Sequence, residues 1–499
     1  MTATPPRPPM TARLARPAAA ATDRLVRSRL LRGAQGSRFA VAVAAARTLR
    51  HLDRATDTRI DPSRAGRALL AAAPHALGTL AGRLAGGCAL VSATNGKTTT
   101  TNLLAAIVRA GGQDPVVNHV GANMPGGLTA ELLARARRGR VTADLGVFEI
   151  DELWLDHVVP PLLPKVIVLG NLFRDQLDRM GELDRVAARW RAFVAGLPPE
   201  VTLVVNADDP RVCQLAAVHP SLVLVGMDGV DRDGPAEHAD IPDCQRCGTR
   251  IAYDGAHIGH LGRWRCPACG DRRPEQLHVV ARDIAAGGLG GASFTLVAHM
   301  APGAAMGEAG ETRVTLAVPG RFNVANAALA GAAALSLGHD LATVTRGLGG
   351  SPGAFGRAEE LRVAGRPLTM VLGKNPTGLD EVVTMLTAGG ERIDLLLLLN
   401  DRDLDGRDVS WIWDVDMERL APMVATLTCG GARASEAAMR MDYAGVDPAR
   451  IEAVEGIAEP LARALARTTG PLVAVCNYSA MLDLRETLAE QGHTERYWR

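Results

Sequence analysis

The sequence predicts an α/β protein. It reads as a phosphate-binding-loop domain with a parallel sheet and an inserted four-cysteine zinc ribbon, followed by a C-terminal α/β (Rossmann-like) domain. Three observations carry this. Short apolar runs at 88–92, 145–150, 165–170, 201–205 and 222–225 alternate with helix-period stretches, the pattern of strands buried on both faces between crossover helices. The first run leads into Ala93-Thr94-Asn95-Gly96-Lys97-Thr98-Thr99-Thr100, a small-residue turn closed by Gly-Lys-Thr where a helix begins. Residues 226–276 then break the rhythm with two Cys-x2-Cys pairs, Cys244/Cys247 and Cys266/Cys269, eighteen residues apart.

Length and composition bound the rest. A chain of 499 residues has room for two or three domains. Its net charge is +1, 47% of residues are hydrophobic and only 3% are aromatic, so the cores must rest on Ala, Val and Leu. A near-neutral balance argues against a dedicated nucleic-acid binder. No window holds 18 uncharged apolar residues, so no transmembrane helix is expected and membrane contact is at most peripheral. Residues 1–35 read as a disordered basic tail, 36–350 as the ATP-binding domain with its ribbon at 240–275, and 351–499 as the second domain. Arg-rich, helix-period sequence runs through 24–87. Outside the quartet, Cys88, Cys213, Cys429 and Cys476 stand apart in apolar surroundings, which suits buried thiols in a reducing cytoplasm.

Taken in order, the motifs fall where a parallel sheet binds its ligands, at the carboxyl ends of the strands. In a phosphate-binding loop, backbone N–H groups at the helix N-terminus face the phosphates. Lys97 would reach the β/γ oxygens and the Thr98 hydroxyl would sit on Mg²⁺. Glu149 and Asp151 close the second strand, Asn171 follows the third, and Asn206, Asp208 and Asp209 follow the fourth. The cysteine quartet can close a tetrahedral Zn²⁺ site that holds together a segment too small for a core of its own. Four thiolates leave no open position, so this zinc would be structural, a staple or a docking surface. Arg246, Arg250, Arg263, Arg265, Arg272 and Arg273 around it could instead grip nucleic acid. Strand patterns resume at 277–299 and 312–318, and an Ala-rich helix runs through 337. A glycine-rich link then ends in Arg357, and further apolar runs lie at 368–372, 394–399, 424–428 and 472–476.

The loop from Ala93 to Thr100 resembles that of the Mur ligases, with Ala93 where they carry a first Gly. Other stretches are similar to that family too. Phe148-Glu149-Ile150-Asp151-Glu152 sets an acid where these enzymes bind Mg²⁺. The segment after Asn171 corresponds to another of theirs, with Gln176 where amino-acid-adding members carry His. Asn323 and Asn326 match their adenine-side motif, and Arg357 the Arg that reaches ATP phosphates from the third domain. The zinc ribbon, the Gly373-Lys374-Asn375-Pro376-Thr377-Gly378 stretch and the acidic run from Asn400 to Asp414 resemble one branch, the ligase subunits of lipid II isoglutaminyl synthases. The resemblance spans roughly residues 36–490. It implies a cytoplasmic, ATP- and Mg²⁺-dependent ligase for peptidoglycan biosynthesis, at the inner face of the membrane where lipid II is presented. That ligase would amidate the D-glutamate α-carboxylate of lipid II to D-isoglutamine through an acyl phosphate.

Ammonia would then come from elsewhere. Cys429 precedes Gly430-Gly431, but Leu427 stands where a nucleophile elbow needs Gly, so the missing nucleophile points to a glutaminase partner of the GatD type. The resemblance implies that an acid of this chain orients that partner's histidine. Asp408 is the first choice, with Asp401, Asp405 and Asp414 behind it, and the adjacent Trp411 and Trp413 are expected on the docking surface. Three other readings share parts of this pattern: an amino-acid-adding Mur or folylpolyglutamate-type ligase, a nucleic-acid-binding zinc module, and an inactive scaffold.

Overall fold

The computed structural model describes residues 39–50, 63–118, 121–137, 140–174, 182–229, 241–301, 303, 306–351, 357–468 and 470–495. The tail expected at 1–35 and Gln176 lie outside them.

The first sheet begins with β1 (Cys88–Ser92), β2 (Pro115–Val117), β3 (Leu145–Glu149), β4 (Val166–Leu169), β5 (Thr202–Asn206) and β6 (Leu222–Met227), all joined in parallel. A separate hairpin, β7 (Ala252–Ile258) and β8 (Leu261–Arg265), belongs to the ribbon. After it β9 (Val279–Ala285), β10 (Ala292–Ala298) and β11 (Gly310–Leu316) return to the first sheet. The nine-stranded order is β11-β10-β9-β6-β5-β4-β1-β3-β2. The sheet is therefore mixed: β9 runs parallel to β6, but β10 and β11 are antiparallel. The links 286–291 and 299–309 are too short for a parallel crossover, which needs a dozen or more residues.

Strand alternation feeds two cores. On β1, Ala89 and Val91 join the layer that holds helices α1 (Lys97–Ala110), α2 (Arg321–Ser336) and α3 (Leu341–Gly349). Cys88 and Leu90 pack into the opposite layer, with helices Arg64–Ala72, Pro125–Arg135 and Leu155–Leu162. Aromatic scarcity shows here. α2 is buried along nearly its whole length by alanines, Ala327, Ala328, Ala330, Ala332, Ala333 and Ala334 among them. Small side chains let it lie close to both sheet and neighbouring helix, so dispersion contacts replace bulk.

The second sheet contains β12 (Arg357–Val363), β13 (Arg366–Leu372), β14 (Ile393–Leu398), β15 (Val424–Gly430), β16 (Ile451–Ala453) and β17 (Leu472–Cys476). Its order is β12-β13-β17-β14-β15-β16. Only the β12–β13 hairpin is antiparallel. Helix α4 (Pro376–Ala388) starts right after β13, and Asn375 caps it by accepting the Gly378 N–H at 2.8 Å.

Close helix packing leaves a checkable constraint. A Cβ on Gly347 of α3 would come within 2.3 Å of Ile107 Cα on α1, a backbone clash no rotamer relieves. Gly347→Val should cost about 2–3 kcal/mol of unfolding free energy or more, read from the denaturant midpoint.

Candidate active site

The site lies at the carboxyl ends of β1, β3, β4 and β5, where the sequence placed it. Gly96 caps α1 in the left-handed region at φ 84°. Only glycine fits there, because a Cβ would also sit 2.2 Å from Asn326 Oδ1. Ala93 is not among the residues with positive φ, so its replacement of glycine strains nothing. The turn is held from beneath by Asn171. Its carbonyl accepts the Thr94 N–H at 2.9 Å, its Oδ1 accepts the Asn95 N–H at 2.9 Å, and its amide donates to the Asn95 carbonyl at 3.0 Å. The Thr99 hydroxyl, in the first turn of α1, is buried without a hydrogen-bond partner among the described residues.

Lys97 is folded back over the loop. Its ammonium donates to the Ala93 carbonyl, to the Thr94 carbonyl at 3.2 Å and to Glu152 Oε2 at 2.9 Å. Burial works against the charge, but the Glu152 and Glu149 carboxylates outweigh it and hold the pKa above the usual lysine value. Glu149 is buried at the end of β3. Its Oε2 accepts the Thr98 hydroxyl at 2.7 Å, and Asn118 grips its backbone N–H and carbonyl at 2.8 and 3.0 Å. A carboxylate and a hydroxyl meeting beside the loop are hard oxygen donors of the kind Mg²⁺ takes. Asp151 follows; burial and Glu152 raise its pKa, while Lys97 and Lys374 oppose that.

A pocket of about 820 Å³ opens beside the loop. Asn95, Gly96, Asn171, Asn323 and Asn326 line it, so both expected asparagines of α2 meet the loop in one cavity. Asn323 donates to the Pro319 carbonyl at 2.7 Å and Asn326 donates to Asn323 Oδ1 at 3.2 Å. The far wall comes from the second domain through Ala358, Val371, Lys374 and Thr377. Arg357 stands next to Ala358 at the start of β12; its side chain lies outside what is described. Sequence reasoning singled out the Gly373–Gly378 stretch but not the role of Asn375. Asn375 and Asn95 exchange amide hydrogen bonds of 2.9 and 3.2 Å, tying the second domain to the loop.

The cysteine quartet is assembled. All four sulfurs lie within 4.8 Å of one another, with Cys244–Cys269 at 3.6 Å and Cys247–Cys266 at 3.4 Å. A tetrahedron of Zn–S bonds requires S–S edges of about 3.8 Å, so the donor set fits zinc. The knuckle glycines Gly248 and Gly270 adopt φ 73° and 75°, as the tight turns need.

The acidic run of the second domain divides. Asp401 accepts from Arg433 Nε at 2.9 Å. Asp405 is buried against Ser479, whose backbone N–H reaches it at 2.8 Å; burial raises its pKa. Asp414 pairs with Arg174 across the two domains. Asp408 alone of these four has only a short local contact, accepting the Ser410 N–H at 2.9 Å, and that contact holds its carboxyl below the usual range. One expectation is corrected: Trp411 is buried in the core of the second domain, where the turn at 410–414 folds its ring inward, and does not serve the surface. Trp413 remains 40% exposed, edge-on to Tyr443 at 5.5 Å and beneath the Arg440 guanidinium at 5.2 Å.

Comparison with known proteins agrees with this geometry. Residues 91–240 match the Mur ligase middle domain and residues 372–481 the MurT ligase C-terminal family. The chain resembles the lipid II isoglutaminyl synthase (glutamine-hydrolyzing) subunit MurT of Streptococcus pneumoniae, at 29% identity over 81% of this chain and 87% of that one. It is similar to the subunit of the same name in Staphylococcus aureus, at 28% identity over 80% and 86%. Among solved structures, MurF from Acinetobacter baumannii superposes with a TM-score of 0.60 at 18% identity, covering 86% of this chain and 80% of that one. The fold is that of the Mur ligases. Among the described residues no helix is long and apolar enough to cross a membrane.

The ribbon can be checked by metal analysis. One Zn²⁺ per chain should be found in protein purified without chelator. Cys244→Ser should lose that metal and lower the unfolding midpoint, because thiolate coordination supplies the ribbon's folding energy. Metal-free parent protein of unchanged stability would contradict the assignment.

Proposed function

We propose that this chain, which resembles MurT subunits over four fifths of its length, is the ligase subunit of a lipid II isoglutaminyl synthase. It would be an ATP-dependent carbon–nitrogen ligase that converts the α-carboxylate of D-glutamate in the lipid II stem peptide to the amide of D-isoglutamine. It would work at the cytoplasmic face of the membrane. The observation that carries the reading is that Asn95 and Gly96 of the loop share one pocket with Asn323 and Asn326, while the next loop residues, Lys97 and Thr98, meet Glu152 and Glu149 and Asn375 of the second domain bonds Asn95.

The chemistry follows from the groups present. A carboxylate resists attack by an amine because its carbonyl carbon is electron-rich and oxide is a poor leaving group. Its oxygen would attack the γ-phosphorus of ATP, releasing ADP and leaving an acyl phosphate. The ammonia lone pair would then attack the carbonyl carbon, phosphate would depart with the C–O electron pair, and a proton would leave nitrogen. The site supplies charge and position. Lys97, already charged and poised over the loop, would exchange Glu152 for phosphate oxygens. N–H groups from Gly96 to Thr99 at the start of α1 would hold the phosphates, with Thr94 and Asn95 shaping the loop through their bonds to Asn171. Asn323 and Asn326 would flank the base, and Arg357 would reach the phosphates from β12. Thr98 and Glu149 would hold Mg²⁺, which supplies charge neutralisation when bound.

Outside the cysteine quartet, the thiols of Cys88, Cys213, Cys429 and Cys476 are all buried and offer no nucleophile for hydrolysing glutamine. Burial pushes the Cys429 and Cys88 thiols up to about 12, far from the reactive form. A GatD-type glutaminase partner would therefore deliver the ammonia. Asp408, ionised and exposed, fits an acid offered across that interface to orient the partner's catalytic histidine. Asp401, Asp405 and Asp414 are each engaged within this chain.

Two variants separate these roles. Lys97→Ala should reduce ATP-dependent amidation roughly a hundredfold or more with the fold intact by circular dichroism; undiminished turnover would remove the loop from the mechanism. Asp408→Asn in the two-subunit complex should keep amidation from added ammonia and lose glutamine-driven amidation on the order of a hundredfold. If glutamine serves that variant as well as the parent, Asp408 is not the orienting acid.

A further inference from the structure

The zinc ribbon reaches further than a staple would. Its hairpin extends from the cysteine cluster, with Cys266 directly after β8, and five residues at strand rise carry β8 about 17 Å to the turn at Gly259-His260. That turn ends in the pocket. Ile258 and Leu261, the residues flanking it, line the same cavity as Gly96, Asn323 and Asn326, and both belong to the main core of the first domain. Gly259 is wedged between domains: a Cβ there would lie 2.9 Å from Thr377 Cγ2 and 3.2 Å from Phe173 Cε1. His260 is buried with its ring 4.6 Å from that of Phe173, another pocket-lining residue.

The hairpin is also bonded to the segments that shape the loop. His260 Nε2 meets Asp209 Oδ2 at 3.4 Å, and the same oxygen accepts the Leu172 N–H at 2.9 Å, next to the Asn171 that holds the loop. Gly262 N–H donates to the Asp208 carbonyl at 2.9 Å, and Trp264 donates to the Ala207 carbonyl at 2.9 Å. At the metal end, Gln214 bridges Cys244 Sγ at 3.3 Å and Asp271 at 2.7 Å.

We propose that the ribbon hairpin is the base-side wall of the nucleotide pocket, with Ile258 and Leu261 packing on the purine ring, and that the tetracysteine metal sets nucleotide affinity by fixing this hairpin. The inference rests on the nucleotide reading of the pocket and adds a specificity element to it. An aliphatic wall sharing the pocket with Asn323 and Asn326 suits a flat, partly polar heterocycle. It has no counterpart for a bare phosphate chain, which the loop alone can hold. The two ends of the ligand should therefore respond differently to the hairpin.

The test is equilibrium binding by the full-length chain of ADP and of inorganic tripolyphosphate, each with Mg²⁺. The proteins are the parent, Ile258→Ala/Leu261→Ala, and parent stripped of metal with a chelator. The inference expects ADP to bind the variant and the stripped protein roughly tenfold more weakly, with tripolyphosphate unchanged. ADP affinity within about twofold of the parent in both would overturn it. Equal loss of both ligands would also overturn it, since the hairpin would then act only through the general fold. Should the double variant fail to fold by circular dichroism, Leu261→Ser alone carries the same comparison. A parent that binds tripolyphosphate but not ADP leaves the loop intact and overturns the base wall. A parent that binds neither ligand defeats the nucleotide reading itself, and the inference with it.

Discussion

The structure depends on one steric constraint at the turn between β1 and α1. Gly96 must take a left-handed backbone, and the space a side chain would fill there belongs to Asn326. Three parts of the chain are fixed by that contact. The turn is held against the pocket that Asn95 and Gly96 line, with its Thr94 and Asn95 N–H groups bonded to Asn171. α2 is brought up against α1, which is why its buried face is built of alanine. The second domain then closes on the residue before the glycine, through the paired amides of Asn95 and Asn375. None of these contacts is strong alone, since a neutral hydrogen bond contributes about 1 kcal/mol net. Their value lies in converging on one turn.

Charge is managed with similar economy. Lys97 keeps its ammonium in a buried place only because Glu152 and Glu149 stand beside it. Leaving either sign unpaired there would be costly. An incoming phosphate chain offers the ammonium a partner of the same sign as the one it gives up. The acids of the second domain follow another logic: most are committed to arginines or backbone within the chain, while Asp408 stays at the surface with its charge intact.

Much of this was legible in the sequence because it rests on local rules. Continuous apolar runs gave β1, β3, β4 and β5 within a residue or two, and cysteine spacing alone brought four sulfurs together. What escaped depends on contacts between distant segments. β2 has three residues and β16 three, too few to show a period. The Asn95–Asn375 pair joins positions 280 apart in sequence, and nothing near Asn375 announces a partner. The antiparallel edge of the first sheet is set by link length rather than by strand composition. Trp411 was expected outside because charged text surrounds it; the turn at 410–414 folds it inward, and single-residue exposure in irregular segments carries no periodic signal.

The central claim is that this pocket activates a carboxylate for ammonia and not for an amino acid. The direct measurement is product analysis by mass spectrometry, with the chain and the proposed GatD-type glutaminase subunit supplied with ATP, lipid II, isotopically labelled ammonium and a mixture of unlabelled amino acids. The account expects a stem peptide carrying the label in a single new amide, formed with stoichiometric ADP. A product lengthened by an amino-acid residue, with no label incorporated, would contradict it.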